Sequence, residues 1–153
     1  MLFTIRDAKT SDFSSVLNLI EELAIFENEP NSVDVSVEEL QNDYNNNQFS
    51  CLVAEIDNKI VGVALYYNRY STWKGKTIHL EDLIVNDKYR GNGIGKGLLK
   101  EVIEKAKAEN LRRVEWCVLD WNTNAIKFYE SVGGEILKDW YLVQLDKNGI
   151  ENF

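Results

Sequence analysis

Near the middle of this 153-residue chain, Arg90-Gly91-Asn92-Gly93-Ile94-Gly95-Lys96-Gly97 places four glycines at alternate positions. They follow an apolar, β-branched run ending at Val85. They precede Leu98/Leu99, Val102/Ile103 and Ala106, which recur at helical spacing. A strand-to-helix connection of this kind carries unpaired backbone N–H groups at the positive end of a helix dipole, a setting that favours an anion. Glycine lets the main chain approach phosphate oxygens and take dihedrals other residues avoid. The chemistry indicated is capture of a diphosphate, with a ligand-free connector as the alternative. Two common phosphate loops do not fit. A Walker A loop wants Gly at the position of Arg90 and Ser or Thr at that of Gly97. The dinucleotide fingerprint meets Lys96 if begun at Gly91 and Leu98 if begun at Gly93.

Other chemistry is sparse. His79 is the single histidine, which makes a zinc site or a Ser-His-Asp triad hard to build. Cys51 and Cys117 lie in apolar, strand-like runs without a Cys-x-x-Cys, and read as two buried, reduced thiols. The net charge of −8 argues against a nucleic-acid partner. Its distribution is uneven: residues 10–58 carry acids but no Lys or Arg, whereas residues 86–113 lean basic. An acidic half could draw a cationic substrate and a basic half an anionic cofactor, or both could be solvated helix faces. No 18-residue apolar run and no signal-peptide pattern occur, so the expected setting is cytoplasmic, with no membrane partner.

The elements that must position these groups can be read in order. Phe3–Arg6 is a short strand. Phe13, Val16/Leu17, Ile20 and Leu23/Ala24 predict a helix over about 11–26, ending before Pro30. Ser36 and Glu39 have capping-box spacing ahead of a second, shorter helix, and Tyr44–Gln48 reads as a loop. Phe49–Ile56 and Lys59–Tyr67 flank Asp57-Asn58, a two-residue hairpin turn, and Thr77–Val85 is a third strand of the same character. After the glycine-led helix, Val114–Leu119 is apolar enough to be a central strand. Asn122 caps a helix that Gly133 or Gly134 ends, and Glu135–Lys138 and Tyr141–Leu145 fit two last strands. The expectation is one α/β (α+β) domain over residues 1–153, a mixed, mostly antiparallel sheet flanked by helices.

Two segments carry a family resemblance. Arg90-Gly91-Asn92-Gly93-Ile94-Gly95 resembles the Arg/Gln-x-x-Gly-x-Gly/Ala pyrophosphate loop of the GNAT superfamily of N-acetyltransferases. Asn122-Thr123-Asn124-Ala125-Ile126-Lys127-Phe128-Tyr129 resembles its Asn-x-x-Ala-x-x-Phe-Tyr segment. Over nearly the whole chain the similarity narrows to the spermidine/spermine and thialysine branch, through Leu23–Glu27, Tyr70–Gly75, Leu80-Glu81-Asp82 and Val118–Asn122. Phe26 and His79 depart from it, both standing where tyrosine is usual, which puts the acceptor in doubt.

The resemblance implies acetyl transfer from acetyl-CoA to a small cationic amine by direct attack, with no metal and no acetylated enzyme. A protein Nα- or lysine acetyltransferase and a non-catalytic acyl-CoA-binding module are the alternatives. A primary ammonium with pKa about 10 holds its proton at pH 7, and removing it costs about 4 kcal/mol, so a base is wanted. Glu81 matches the glutamate assigned that role and the binding of the amine; a structural carboxylate is the other reading. Amides around Leu83, Ile84 and Val85 match those that meet the oxyanion. Tyr129 matches the group that protonates the departing thiolate, although its spacing with Ile126 and Val132 also suits a core aromatic. Arg90 through Lys96, with Asn122, Asn124 and Ala125, match cofactor contacts; Asn122 is also a plain helix cap. Phe26, Glu27, Trp73, Asp82 and Trp140 match the acceptor side, and the two tryptophans also read as packing residues. A homodimer is implied by the branch alone.

Overall fold

The computed structural model describes residues 2–153 and divides the chain into two compact units, Met1–Cys117 and Val118–Phe153. The first unit contains β1 (Thr4–Asp7), α1 (Phe13–Phe26), α2 (Val37–Asn45), β2 (Ser50–Ile56), β3 (Lys59–Ser71), β4 (Gly75–Val85), α3 (Ile94–Ala108) and β5 (Val114–Glu115). Its sheet runs in the order β1-β2-β3-β4-β5, antiparallel except for the parallel β4–β5 pair. The mixed, mostly antiparallel sheet is therefore as expected.

Local chemistry accounts for most boundaries. Asp57 and Asn58 both take positive φ, +48° and +61°, the twist a two-residue hairpin needs. The capping box forms as spaced: the Glu39 amide donates to Ser36 Oγ and the Ser36 amide to Glu39 Oε2. The start of α1 differs from expectation. A 3-10 turn at Thr10–Asp12 precedes it, and the Asp12 side chain accepts from the Lys9 amide at 2.7 Å. Asp12 also binds Arg6, whose guanidinium reaches Glu55 on β2, so one cation ties β1, this turn and β2 together.

The core follows from strand alternation. Cys51, Val53, Val63, Leu65 and Ile84 share one sheet face, and Phe13, Val16 and Leu19 of α1 with Leu40 of α2 complete that cluster. Tyr44 belongs to α2 and not to a loop. Its ring stacks near Phe13 and Phe49, and its hydroxyl donates to the Ala8 carbonyl. The helix α3 buries Ile94, Leu98, Leu99, Val102 and Ala106, the stripe its spacing predicts.

Three expectations need correction. The fifth strand is paired only at Val114–Glu115 and does not run to Leu119. Cys117, beyond that short pairing, is exposed, whereas Cys51 is buried with its thiol pushed up to about 12 by burial. In the second unit no strand forms at Glu135–Lys138 or Tyr141–Leu145. Apolar alternation is only half of a strand; the backbone also needs a neighbour to receive its hydrogen bonds, and these residues have no ladder. That unit instead holds α4 (Thr123–Ser131) and α5 (Lys147–Glu151). Asn122 caps α4 by accepting from the Ala125 amide, and Gly133 and Gly134 close it by donating to Glu130 and Tyr129 carbonyls.

Candidate functional site

The glycine loop joins β4 to α3 through a 3-10 turn at Asp87–Tyr89. Gly91 and Gly93 have φ of +77° and +81°, and a Cβ at either would meet nothing within 4 Å. Their lack of a side chain answers to backbone conformation and leaves the space over the loop open. Gly97 has a different reason, since a Cβ there would come within 3.0 Å of Ile5 and 3.2 Å of Phe3. The first bond of the helix runs from the Gly97 amide to the Gly93 carbonyl. The amides of Ile94, Gly95 and Lys96 therefore precede the ladder and are directed out of the helix start. Arg90 and Asn92 brace the loop. Arg90 donates to the Val85 carbonyl, pairs with Asp87 and lies over the Phe26 ring, while Asn92 donates to the Tyr89 and Arg90 carbonyls. Open space, outward amides and a dipole end together fit a diphosphate such as that of coenzyme A.

The candidate base sits at a defect in the neighbouring strand. Leu65 pairs with Asp82 and Tyr66 with Leu80, so Glu81 is the extra residue of a β-bulge. Two residues on from His79, Glu81 shares the face of Tyr67 and His79 by strand alternation: the Tyr67 hydroxyl donates to Glu81 Oε2 at 3.0 Å, and His79 Nε2 lies 3.5 Å from the same oxygen. The insertion reverses the alternation of the amides beyond it. Ahead of the bulge the Ile78 amide donates toward β5, to Arg113; beyond it the Asn86 amide donates toward β3, to Val61. Alternation back from Asn86 turns the amides of Val85 and Leu83 away from β3, and that of Ile84 toward it. Because β5 pairs with β4 only at Ile78 and His79, the Leu83 and Val85 amides face an edge that the sheet does not cover.

The electrostatics on this side are acidic. Asp82 is largely buried, and burial followed by the charges of Glu81 and Glu27 pushes its carboxyl up to about 6. Burial likewise raises the carboxyl of Glu27, the C-cap of α1. Phe26 ends α1 and is partly exposed, and Trp73 stands 77% exposed on the β3–β4 turn. Glu27, Glu81 and Asp82 are thus brought together electrostatically, while Trp73 extends from the turn into solvent.

The remaining sequence-derived residues lie in the second unit. Tyr129 is buried on α4 at 9% exposure, in ring contact with Phe128. Asn122 is the helix cap, Asn124 and Ala125 form the first turn of α4, and Trp140 is 71% exposed. Tyr67 belongs to no motif of the sequence, and His79 stands out there only as the single histidine and as a departure from the branch. Their pairing opposite one another, which places both beside Glu81, depends on strand register. Among the described residues no group of three or more His, Cys, Asp or Glu is arranged to hold a metal, and no helix is long and apolar enough to cross a membrane.

Known proteins resemble this chain in sequence and in fold. A family profile described as Acetyltransferase (GNAT) family matches residues 16–134. The chain is 41% identical over 145 residues to a thialysine N-epsilon-acetyltransferase of Bos taurus, covering 88% of this chain and 85% of the relative. It is 33% identical over 157 residues to the spermidine/spermine N(1)-acetyltransferase-like protein 1 of Homo sapiens, covering 95% of this chain and 23% of that protein. An integron cassette protein from the mobile metagenome of V. cholerae shares the fold, with a TM-score of 0.79 at 23% identity over 99% of this chain and 97% of its own.

Proposed function

The chain belongs to the GNAT family of acetyltransferases, and from that premise we propose that it moves acetyl from acetyl-CoA to a primary amine of a small cationic substrate. Thialysine or another lysine-like amine is the first class of acceptor, and a diamine or polyamine the second. The observation that carries the reading is the bulge at Glu81, which presents a carboxylate beside buried acid and turns two amides to an open edge. Acetyl-CoA supplies an activated thioester; the residues supply placement and proton handling. Amides of the glycine loop, with Arg90 bracing it, grip the diphosphate, and Asn122, Asn124 and Ala125 border the cofactor. The carboxylates of Glu27, Glu81 and Asp82, with Phe26, Trp73 and Trp140, draw and orient the ammonium by charge and ring faces. Glu81 takes the ammonium proton, directly or through water. The amides of Leu83 and Val85 meet the negative charge that grows on the acyl oxygen as the amine attacks. Tyr129 returns a proton to the leaving sulfur. The chain works as one domain over residues 1–153, as a homodimer in the cytoplasm, without nucleic acid or membrane partners.

The test is CoA thiol release with acetyl-CoA and thialysine, lysine, putrescine, spermidine or a lysine-bearing peptide. Turnover with at least one small amine is expected. Transfer confined to the peptide would replace the small acceptor with a protein one.

A further inference from the structure

Resting on the reading of Glu81 as the base, the geometry points to Tyr67 and His79 as positioning residues that clamp Glu81 through one of its two oxygens. Tyr67 and His79 are register partners on β3 and β4, their rings 5.3 Å apart and tilted by 40°. Both reach Oε2: the phenol at 3.0 Å and imidazole Nε2 at 3.5 Å. Oε1 lies outside the clamp.

The chemistry of each partner supports this use. Burial, then the bond to Glu81 and its charge, raises the Tyr67 phenol, which keeps its proton and donates. The His79 side chain is only 12% exposed, and its Nδ1 is buried with no hydrogen-bond partner. Nε2, the other ring nitrogen, is the one that faces the carboxylate. Glu81 is otherwise free to swing, with its side chain 51% exposed and situated at a bulge that lacks an opposing residue. The Tyr67 donor and the His79 ring, brought from paired strands to the same oxygen, remove that freedom and keep Oε1 aimed at the amine, so less orientation is lost in the transition state.

The experiment is a double-mutant set on the full chain, with kcat and both KM values from thiol release and melting temperature as a fold control. Tyr67→Phe keeps the ring against His79 and removes only the donor. Its kcat should fall about tenfold, with the acetyl-CoA KM unchanged. His79→Leu should act likewise, and His79→Gln, whose amide nitrogen takes the place of Nε2 beside the carboxylate, should recover most of the loss. In a Glu81→Gln background neither substitution should reduce kcat further, because the clamp has no carboxylate to hold. Equal losses with and without Glu81, or no rescue by glutamine, would overturn the clamp. Wild-type turnover in Glu81→Gln itself would instead remove the base assignment beneath it, so the two failures are distinguishable. Should His79→Leu melt early, the Tyr67→Phe cycle decides alone.

Discussion

The glycine loop and the Glu81 strand segment are neighbours in the chain, yet they are built in opposite ways. In the loop the proposed working groups are backbone amides, and their direction is set by the conformations of Gly91 and Gly93 and by the start of α3. In the strand the proposed working groups are side chains as well as the Leu83 and Val85 amides, and their arrangement depends on β3 supplying Tyr67, α1 supplying Glu27 and one unmatched residue supplying the bulge. The loop is a local device that other parts of the fold merely support. The carboxylate site exists only once three elements have met. Damage to the loop should therefore weaken one ligand selectively, whereas damage to the strand should disturb chemistry, charge and stability together.

The sharpest break of that contrast is Glu81→Gln. Removing a general base costs about 10²–10⁴ in rate, so kcat should drop by that order while calorimetry still records coenzyme A binding. A variant that loses the coenzyme instead would mean that the two regions are not separable.

Asp82 comes next, and its effect reads out in stability. The unfolded carboxyl titrates near its ordinary value, whereas the folded one is pushed up to about 6. Between about pH 4 and about pH 6 the folded chain holds the proton that the unfolded chain has released. This group therefore lowers stability as pH rises through that window, by up to about 3 kcal/mol above it. Urea unfolding of Asp82→Asn should show a gain at pH 7 that shrinks toward zero near pH 3.5. Curves offset equally at all pH values would refute the assignment of cause.

The smallest effect belongs to the loop. Gly93→Ala forces a side chain into a left-handed conformation at a cost of about 1–2 kcal/mol. The acetyl-CoA KM should rise about five- to thirtyfold, with the amine KM unmoved. Equal changes in both KM values would show that the loop is not a local device.

Much of this was legible in the sequence for the same reason that the loop is local. The capping box of α2, the hairpin turn at Asp57-Asn58, the stripe of α3 and the glycine positions are set by residues a few places apart. The apolar runs at Val114–Leu119 and Tyr141–Leu145 misled, because strand propensity reports a suitable surface and is silent on whether a neighbour is present. Likewise, nothing in Leu80-Glu81-Asp82 marks Glu81 as unmatched, and nothing in the sequence pairs Tyr67 with His79. By itself the sequence determined the positive-φ glycine turn and the helix faces, since short-range sterics and hydrogen bonding decide these, and its motifs pointed to the family. Only the tertiary structure decided the bulge, the direction of the Leu83 and Val85 amides and the donors on Glu81. A strand's register is chosen by the strand beside it.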